Sequence, residues 1–244
     1  GSLNAADGDN PDLTGPAASQ AIALSNSIIE IQFNEKLNPA TVELSNFSAD
    51  NGLSFLSLQL DETDRIVSLV TATDLVENTL YTISVNNITD CTGNLIAAEH
   101  RTIPLIIAGT AEAQDIIVNE ILFDPLTGGD RFVEFYNNSN KYLNLKGWKI
   151  AGLTNTRVIS EQNYFISPQE YFVVTSDGNN IQSNYPSSDE STFIEISSMP
   201  SLPNDEGTVF IYNLNNSEID RFEYSEDYHS QLLNDPEGIS LERI

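Results

Sequence analysis

The fold is indicated most clearly by residues 115–137, DIIVNEILFDPLTGGDRFVEFYN, in which two apolar runs flank a short loop. The runs Asp115–Phe123 and Arg131–Asn137 are rich in the Ile, Val, Phe and Tyr residues that favour β-strands. Between them, Thr127-Gly128-Gly129-Asp130 supplies residues that tolerate the backbone angles of a tight turn. The segment therefore predicts an antiparallel hairpin in a β-rich fold.

The same strand pattern extends over most of the chain. Apolar and polar residues alternate in Ile29–Phe33 with the period of a half-buried strand. Comparable runs bounded by turn residues follow at Leu56–Leu60, Arg65–Thr71, Tyr81–Val85, Leu145–Ile150, Tyr171–Val174, Val209–Asn213, Ile219–Tyr224 and Ile239–Ile244. The pattern in the first half of the chain predicts about seven strands and one helical turn at residues 38–42. Residues 175–207 are predicted as a long polar loop, and no amphipathic helix of ordinary length is predicted.

The length of 244 residues suits two domains better than one. Residues 109–114 are small and polar, so we predict a linker there between domains at 19–108 and 115–244. Residues 1–18 are predicted as an N-terminal linker because they are acidic and rich in turn residues. Asp7, Asp9 and Asp12 alternate as in a calcium loop, but this segment lacks the bidentate Glu of such a loop, so the linker is favoured.

The charge is strongly acidic, with 36 Asp and Glu residues against 10 Lys and Arg and a net charge of −26. Nucleic-acid binding depends on basic residues that neutralise phosphates, and anionic membranes repel an acidic chain. We therefore expect neither partner. No apolar run approaches the ~20 residues that span a bilayer, so no membrane insertion is expected.

Cys91 is the only cysteine, so no disulfide forms within the chain, and we expect it to be a buried or half-buried thiol.

The first domain resembles the bacterial Ig-like domains (SbsA type) of S-layer and other surface proteins. The residues that carry the resemblance are Ile29–Phe33 with Asn34-Glu35 and Leu37-Asn38-Pro39, then Asn78–Ile83, Ile88-Thr89-Asp90 and Gly93-Asn94. It covers roughly residues 19–108, mostly at scaffold positions. The resemblance implies an Ig-like β-sandwich.

The second domain resembles the bacterial secreted type of lamin tail domain, over about residues 115–244. The matching residues are Val118–Ile121, Asp124-Pro125, Phe132–Asn137, Leu143–Leu145 with Gly147-Trp148, Tyr171–Val174, Asn204–Gly207, Ile219-Asp220 and Ser240–Arg243. The resemblance implies a second Ig-like sandwich that serves as an accessory module in exported proteins. No set of catalytic residues comes with it. The fold class expected for the chain is therefore all-β, with two tandem Ig-like β-sandwich domains.

The sequence lacks the motifs of common catalytic sites. Its two histidines, His100 and His229, have no metal-ligand spacing, and no GxSxG elbow, phosphate loop or strand-linked GxGxxG is present. We therefore predict that the chain is not an enzyme.

Glu120 and Glu134 form the most interesting pair because pairing of the first two strands of the hairpin would bring them together. Alternation predicts that Glu120 shares a face with Val118 and Leu122, and a carboxylate on an apolar face requires a partner. The favoured interpretation is structural, with Arg243, Lys149 or backbone N–H groups as partners. A calcium site and an acid/base pair are the alternatives.

The remaining candidate binding residues are acidic or aromatic. Asp124 and Asp130 lie in the acidic hairpin region, and Tyr185, Tyr224 and Tyr228 are candidates for an exposed aromatic patch, with Tyr164. An aromatic groove formed by residues 175–207 and 224–228 would suit a glycan. Trp148 is predicted to lie in the core.

These observations favour a non-catalytic binding, adhesion or spacer module that is secreted, periplasmic or on the outer cell surface. The expected partner is a protein or glycan of the cell envelope. No cofactor is expected, and calcium is the one ion considered. The alternative is a carbohydrate-binding or calcium-dependent accessory module of a larger secreted hydrolase.

Overall fold

The predicted strands form two separate β-units in this structure, a computed structural model that describes residues 12–230, 232–233 and 235–243. The chain divides between Ile107 and Ala108, and each unit has an apolar core of its own.

In the described part of the first unit there are seven strands, the number that the sequence predicts. They are β1 (Ala18–Ser25), β2 (Ile28–Phe33), β3 (Phe47–Ala49), β4 (Phe55–Leu60), β5 (Ile66–Thr71), β6 (Thr79–Val85) and β7 (Thr102–Ile107). One antiparallel sheet has the order β1-β2-β5-β4, and the other has the order β3-β6-β7. The helical turn predicted at residues 38–42 is a 3-10 turn at Pro39–Thr41, and Asn38 caps it by accepting a hydrogen bond from the Ala40 N–H. Further 3-10 turns lie at Leu44–Asn46 and Ala98–His100.

The core of the first unit is filled from alternate positions of its strands, as the period of two predicts. Its fully buried side chains include Ile29, Ile31 and Phe33 of β2, Val67 and Leu69 of β5, and Ile83 and Val85 of β6. Burying each such side chain contributes about 1.5–3 kcal/mol to folding.

Part of the segment predicted as an N-terminal linker lies against the first unit. The Ala17 N–H donates to Asn34 Oδ1 at 2.8 Å, and Asn94 Nδ2 donates to the Asp12 carbonyl at 3.0 Å. A Cβ atom at Gly15 would collide with the Leu95 carbonyl, so glycine permits this close approach. Residues 1–11, with Asp7 and Asp9 of the proposed calcium loop, lie outside the described residues.

The described part of the second unit contains eleven strands and one short α-helix. The strands are β8 (Ile116–Leu122), β9 (Phe132–Asn137), β10 (Leu143–Asn144), β11 (Lys149–Ala151), β12 (Thr156–Val158), β13 (Phe165–Ile166), β14 (Tyr171–Thr175), β15 (Phe193–Glu195), β16 (Glu206–Tyr212), β17 (Glu218–Ser225) and β18 (Leu241–Glu242). The helix α1 spans Gly178–Asn184, and 3-10 turns lie at Glu190–Thr192 and Glu226–Tyr228.

Like the first unit, the second unit is a sandwich of two sheets. One sheet has the order β15-β14-β9-β8-β18, the other has the order β12-β11-β16-β17, and β10 pairs with β13. The core between the two large sheets includes Trp148, which is 4% exposed, so the predicted core position of the tryptophan is confirmed. The strand content and paired sheets confirm the predicted all-β class.

Two predicted strands and one predicted loop in this unit differ from the structure. Leu145–Ile150 is not one strand, because a turn with Gly147 at φ +72° precedes β11. Residues 175–207 are more than a loop, since they contain α1 and β15, which pairs in parallel with β14. Within Ile239–Ile244, the strand is confined to Leu241–Glu242, and Ile244 lies outside the described residues.

A bulge at Asn119 determines which face of the five-stranded sheet each residue of β8 occupies. The register between β8 and β9 shifts between Val118 and Glu120. Val118 and Ile121 therefore lie in the core between the sheets, whereas Leu122 belongs to a separate apolar cluster with Phe132. The predicted alternation was wrong here, because Glu120 shares its face with Leu122 but not with Val118.

The two large sheets of this unit are joined by an ion pair whose carboxylate is buried. Asp220 of β17 is 7% exposed and accepts hydrogen bonds from the Val118 N–H at 2.9 Å and from Arg243 Nη1 at 2.6 Å. The Arg243 guanidinium lies 5.7 Å from the centre of the Phe222 ring. Two segments that carry the resemblance, 219–220 and 240–243, therefore form one clamp.

Candidate functional site

Three glutamates lie side by side across neighbouring strands of the five-stranded sheet. Glu120 in β8 is paired with Glu134 in β9 on one side and with Glu242 in β18 on the other. Side chains that face each other in an antiparallel pair have Cβ atoms about 4.5–5.5 Å apart, and like charges in that position repel each other. The structure therefore places the predicted Glu120–Glu134 pair together.

A segment of residues 177–193, here called the cover segment, lies over this outer face of the sheet. Asp177 caps α1 by accepting a hydrogen bond from the Asn180 N–H at 2.9 Å. Ile181 of α1 is buried with Leu122, Phe132 and Val173, and Tyr185 and Phe193 pack against them. The second unit thus has a small additional core outside the sandwich.

A pocket of about 260 Å³ lies between the cover segment and the sheet, and Glu120 and Glu134 form part of its lining. Its apolar walls are Phe132, Val173, Ile181 and Phe193. Its hydroxyl groups belong to Tyr185, Ser187, Ser188 and Ser240. Because Ser187 is exposed while Val173 and Ile181 are buried, the pocket is open to solvent on the side of Ser187.

The two glutamates have neutral hydrogen-bond partners. Ser240 Oγ donates to Glu120 Oε1, and Asn119 Nδ2 donates to Glu134 Oε1 at 2.8 Å. The expected partners Arg243 and Lys149 were wrong: Arg243 pairs with Asp220, and Lys149 donates to Asn216. The bulge supplies Asn119, and Ser240 immediately precedes β18; alternation alone identifies neither residue.

Burial in the pocket raises the pKa of Glu134 above its ordinary value. The hydrogen bond from Asn119 opposes this shift, and the negative charges of Glu120 and Glu242 reinforce it. Burial also raises the pKa of the Tyr185 hydroxyl, with a smaller contribution from Glu120. Burial in the pocket therefore disfavours the ionised forms of Glu134 and Tyr185.

Asp124 and Asp130 make local structural contacts. Asp130 Oδ2 accepts hydrogen bonds from Thr175 Oγ1, the Ser176 N–H and Ser176 Oγ at 2.8–3.1 Å, which ties the start of β9 to the end of β14. Asp124 accepts a hydrogen bond from Asn204 Nδ2. Neither aspartate lines the pocket.

The four tyrosines do not form one exposed aromatic patch. Tyr224 is 2% exposed, stacks on Phe123 with ring centres 4.6 Å apart, and donates to the Pro203 carbonyl, so it contributes to no exposed patch. Burial raises its pKa strongly. Tyr164 packs against the main core, and Tyr228 is 64% exposed. Of the four, Tyr185 alone lines the pocket, where its hydroxyl donates to the Gly238 carbonyl at 2.7 Å.

The first unit holds another acidic cluster. Asp12, Glu35 and Asp90 each place one carboxylate oxygen within 4.8 Å of the others. Both oxygens of Asp90 are already filled by hydrogen bonds from the N–H groups and side chains of Thr92 and Asn94, all at 2.8 Å. Burial opposes the ionisation of Asp90, but these hydrogen bonds outweigh it and lower its pKa. Burial and the charges of Asp12 and Asp90 raise the pKa of Glu35.

Cys91 lies in the same loop. It is exposed, so the expected burial of this thiol was wrong.

Several residues of the pocket were not identified from the sequence. Four of them belong to the cover segment: Ile181, Ser187, Ser188 and Phe193. This segment is mostly polar, so its sequence pattern does not indicate that it packs on the sheet. One signal was present for Asn119: Val118 and Ile121 are three residues apart, which breaks the period of two and is typical of a bulge.

Comparison with known proteins agrees with both resemblances. Residues 12–103 match the family model of the bacterial Ig-like domain, and residues 109–226 match that of the lamin tail domain. The clamp and pocket residues Ser240 and Arg243 lie beyond the second matched range. Among curated proteins, none matches the chain.

Solved structures give weaker likenesses. One is the N-terminal part of the bacterial S-layer protein SbsC, with 13% identity over 87% of this chain and a TM-score of 0.35. Another is a DUF4876 family protein from Bacteroides thetaiotaomicron VPI-5482, with 18% identity, a TM-score of 0.31, and coverage of 75% of this chain and 73% of that one. The chain spans 44% of the SbsC fragment. TM-scores this low carry no functional information.

The described residues include no helix that is both long and apolar enough to cross a membrane. Each of the two β-units matches a family whose motif residues lie in its strands and turns. The chain is therefore a bacterial Ig-like domain followed by a lamin tail domain.

Proposed function

We propose that the chain is a non-catalytic binding and spacer module of an exported protein, and that it contacts a protein or glycan at the cell envelope. The observation that carries the proposal is the architecture. Two sandwiches with separate cores present their loops on packed scaffolds, which suits spacing and contact.

The chemistry of the pocket supports a binding role over a catalytic one. Its ionisable groups are Glu120, Glu134 and Tyr185, and each makes a hydrogen bond to a neutral partner. Hydrolysis by two carboxylates needs one protonated acid and one ionised partner beside a bound substrate. Burial raises the pKa of Glu134, which is the direction that such an acid requires, so the neutral hydrogen-bond partners, not the pKa, are what favours binding.

The charge supports the proposed partners. With 36 acidic and 10 basic residues, the surface repels nucleic acids and anionic lipids. A neutral glycan or a basic protein surface meets no such repulsion.

The location is tested by treating intact cells that produce the native protein with a protease, and by comparing them with lysed cells. We expect equal loss of an epitope placed in the exposed loop near Leu153, which is 68% exposed. In Gram-negative cells, the outer membrane is first permeabilised so that the periplasm is also reached. Protection in intact cells and in permeabilised cells, with cleavage only after full lysis, would contradict export.

The absence of catalysis is tested with chromogenic glycoside and phosphoester substrates. We expect no turnover above buffer for the wild-type chain or for Glu134→Gln. Turnover by the wild type that Glu134→Gln abolishes and Glu223→Gln keeps would make the module an enzyme. Glu223 is exposed on β17, so it is a matched control for loss of one charge in the same unit.

A carbohydrate-binding module is the second candidate, favoured by one observation. The pocket combines the Tyr185, Phe132 and Phe193 rings with two carboxylates, which are groups that contact sugars. Its test is a glycan array probed with the wild type and with Tyr185→Phe and Glu120→Gln. Saturable binding of a neutral glycan that Glu120→Gln weakens would favour this candidate.

A further inference from the structure

We propose that the pocket at Glu120 and Glu134 binds the side-chain ammonium group of a lysine presented by a partner protein. The inference rests on the proposed function, because it names the chemistry by which the lamin tail domain would contact a protein. It is carried by the charge of the pocket, by its hydrogen-bonding character and by its walls.

The first argument is the uncompensated charge. Glu120 faces Glu134 and Glu242 across adjacent strands, and the pocket lining contains no Lys, Arg or His. The nearby cation Arg243 is engaged by Asp220 at 2.6 Å. A cation between Glu120 and Glu134 would turn a repulsive pair into two attractive contacts.

The second argument is that acceptors dominate the pocket. Each glutamate uses Oε1 for its hydrogen bond, and among the described residues no donor contacts the Oε2 of either. The hydroxyl protons of Ser188, Ser240 and Tyr185 are all directed at oxygens of the protein. An ammonium group has three donors and no acceptor, so it matches this surface. A sugar hydroxyl both donates and accepts, and matches it less well.

The third argument concerns shape and polarity. The walls formed by Phe132, Val173 and Phe193 are apolar, and the pocket volume is about 260 Å³. An aliphatic stem of four methylene groups can lie along such walls while its charged end reaches the carboxylates. A hard divalent cation needs six or more oxygen ligands and gains nothing from aromatic walls.

The proposal is tested by a two-dimensional amide NMR titration of the whole chain with a capped Gly-Gly-Lys-Gly-Gly peptide. We expect saturable shifts at Ser187, Ser188 and Ser240 with millimolar affinity. Glu120→Gln and Glu134→Gln should each weaken binding by about tenfold, because each removes one charged hydrogen-bond acceptor. Glu223→Gln should leave the affinity unchanged, and thermal melts confirm that all variants are folded.

Control ligands distinguish the occupants. The same peptide with norleucine or acetyl-lysine in place of lysine should not bind, since neither carries the ammonium group. Equal binding by the norleucine peptide, or saturable shifts at the same amides with glucose or calcium but not with the lysine peptide, would overturn the proposal. So would much tighter binding of free butylamine than of the peptide, because the occupant would then be a small amine.

The two proposals fail separately. If protease reaches the module only after full lysis of the cells, the proposed function fails whatever the titration gives. If the module is exported and the lysine peptide gives no shift, only the ammonium site is wrong.

Discussion

Carboxylates in the two units differ in how many donors they have. In the Ig-like domain, Asp61 and Asp90 each accept four hydrogen bonds, from the side chains and backbone N–H groups of their own loops. In the lamin tail domain, Glu120 and Glu134 each accept one side-chain hydrogen bond and face each other. The first pair is saturated, and the second pair retains open acceptor positions.

The pKa values follow this difference. Burial opposes ionisation at Asp61, but hydrogen bonds from Thr63, Arg65 and Ile66 outweigh it and lower its pKa to about 2. At Glu134, burial and like charge prevail and the pKa rises. A saturated carboxylate stabilises the fold, whereas an under-partnered one destabilises it and remains free to bind a ligand.

Asp220 is a carboxylate of the lamin tail domain that has a cationic partner, so it separates the effect of the partners from the effect of the domain. Asp220→Ala leaves the Val118 N–H unpaired and Arg243 without its anion, so we expect the free energy of unfolding to fall by about 3 kcal/mol. Trp148 is the only tryptophan, so fluorescence during urea unfolding follows this unit alone. Glu218→Gln, which removes an exposed pair with Arg221 at 3.8 Å, should cost less than about 0.5 kcal/mol. Equal losses of stability for Asp220→Ala and Glu218→Gln would contradict the view that the partners of a carboxylate determine its contribution to stability.

The substitution Asp90→Ala tests whether the hydrogen bonds accepted by the Asp90 carboxylate stabilise the Ig-like domain. Loss of the hydrogen bonds to Thr92 and Asn94 should lower the stability of this unit by about 2 kcal/mol. Circular dichroism during urea unfolding should show an earlier transition that tryptophan fluorescence does not report. The control is Asp74→Asn at an exposed position, where we expect a change within about 0.5 kcal/mol. An unchanged transition for Asp90→Ala would show that the loop does not depend on these hydrogen bonds.

Glu134→Gln should act in the opposite direction and raise the stability of the lamin tail domain at pH 7 by about 0.5 kcal/mol, because it removes a repulsive cross-strand charge. The folded state holds the Glu134 proton to a higher pH than the unfolded state does. Wild-type stability therefore falls as pH rises from the unfolded pKa through the raised folded pKa. The gain of the variant should vanish at acidic pH, where both states of the wild type are protonated. A loss of stability at pH 7 would mean that Glu134 is a structural residue.

The smallest effect is expected from calcium. Both oxygens of Asp90 are filled, and Asp12 Oδ1 accepts hydrogen bonds from the N–H and the hydroxyl of Thr14, so few oxygens of this cluster in the Ig-like domain remain for an ion. We expect millimolar calcium and chelator to give melting temperatures within about 1 °C, since an ion stabilises a protein only if it binds the folded state. A rise with calcium that magnesium does not reproduce would make this cluster a metal site.

Sequence reasoning predicted the strands where alternation was unbroken and missed features that depend on packing. β2 and β5 follow a strict period of two, so their pattern alone indicates one buried face. The bulge at Asn119 changes the face of Glu120, and a period-two interpretation extended across it was wrong. Tyr224 was a candidate for an exposed aromatic patch, but packing on Phe123 buries it. The pocket itself depends on the cover segment, whose docking is a tertiary contact.

The most direct test of the account is an NMR titration of the Glu134 carboxyl carbon, with and without saturating lysine peptide. The account predicts a raised pKa in the free protein and a clear decrease when the peptide is bound, because a nearby ammonium group favours the ionised carboxylate. The norleucine peptide should leave the titration unchanged. A pKa of Glu134 that is already at its ordinary value in the free protein, or that the lysine peptide does not lower, would contradict the claim that this pair is under-partnered and available for a cation.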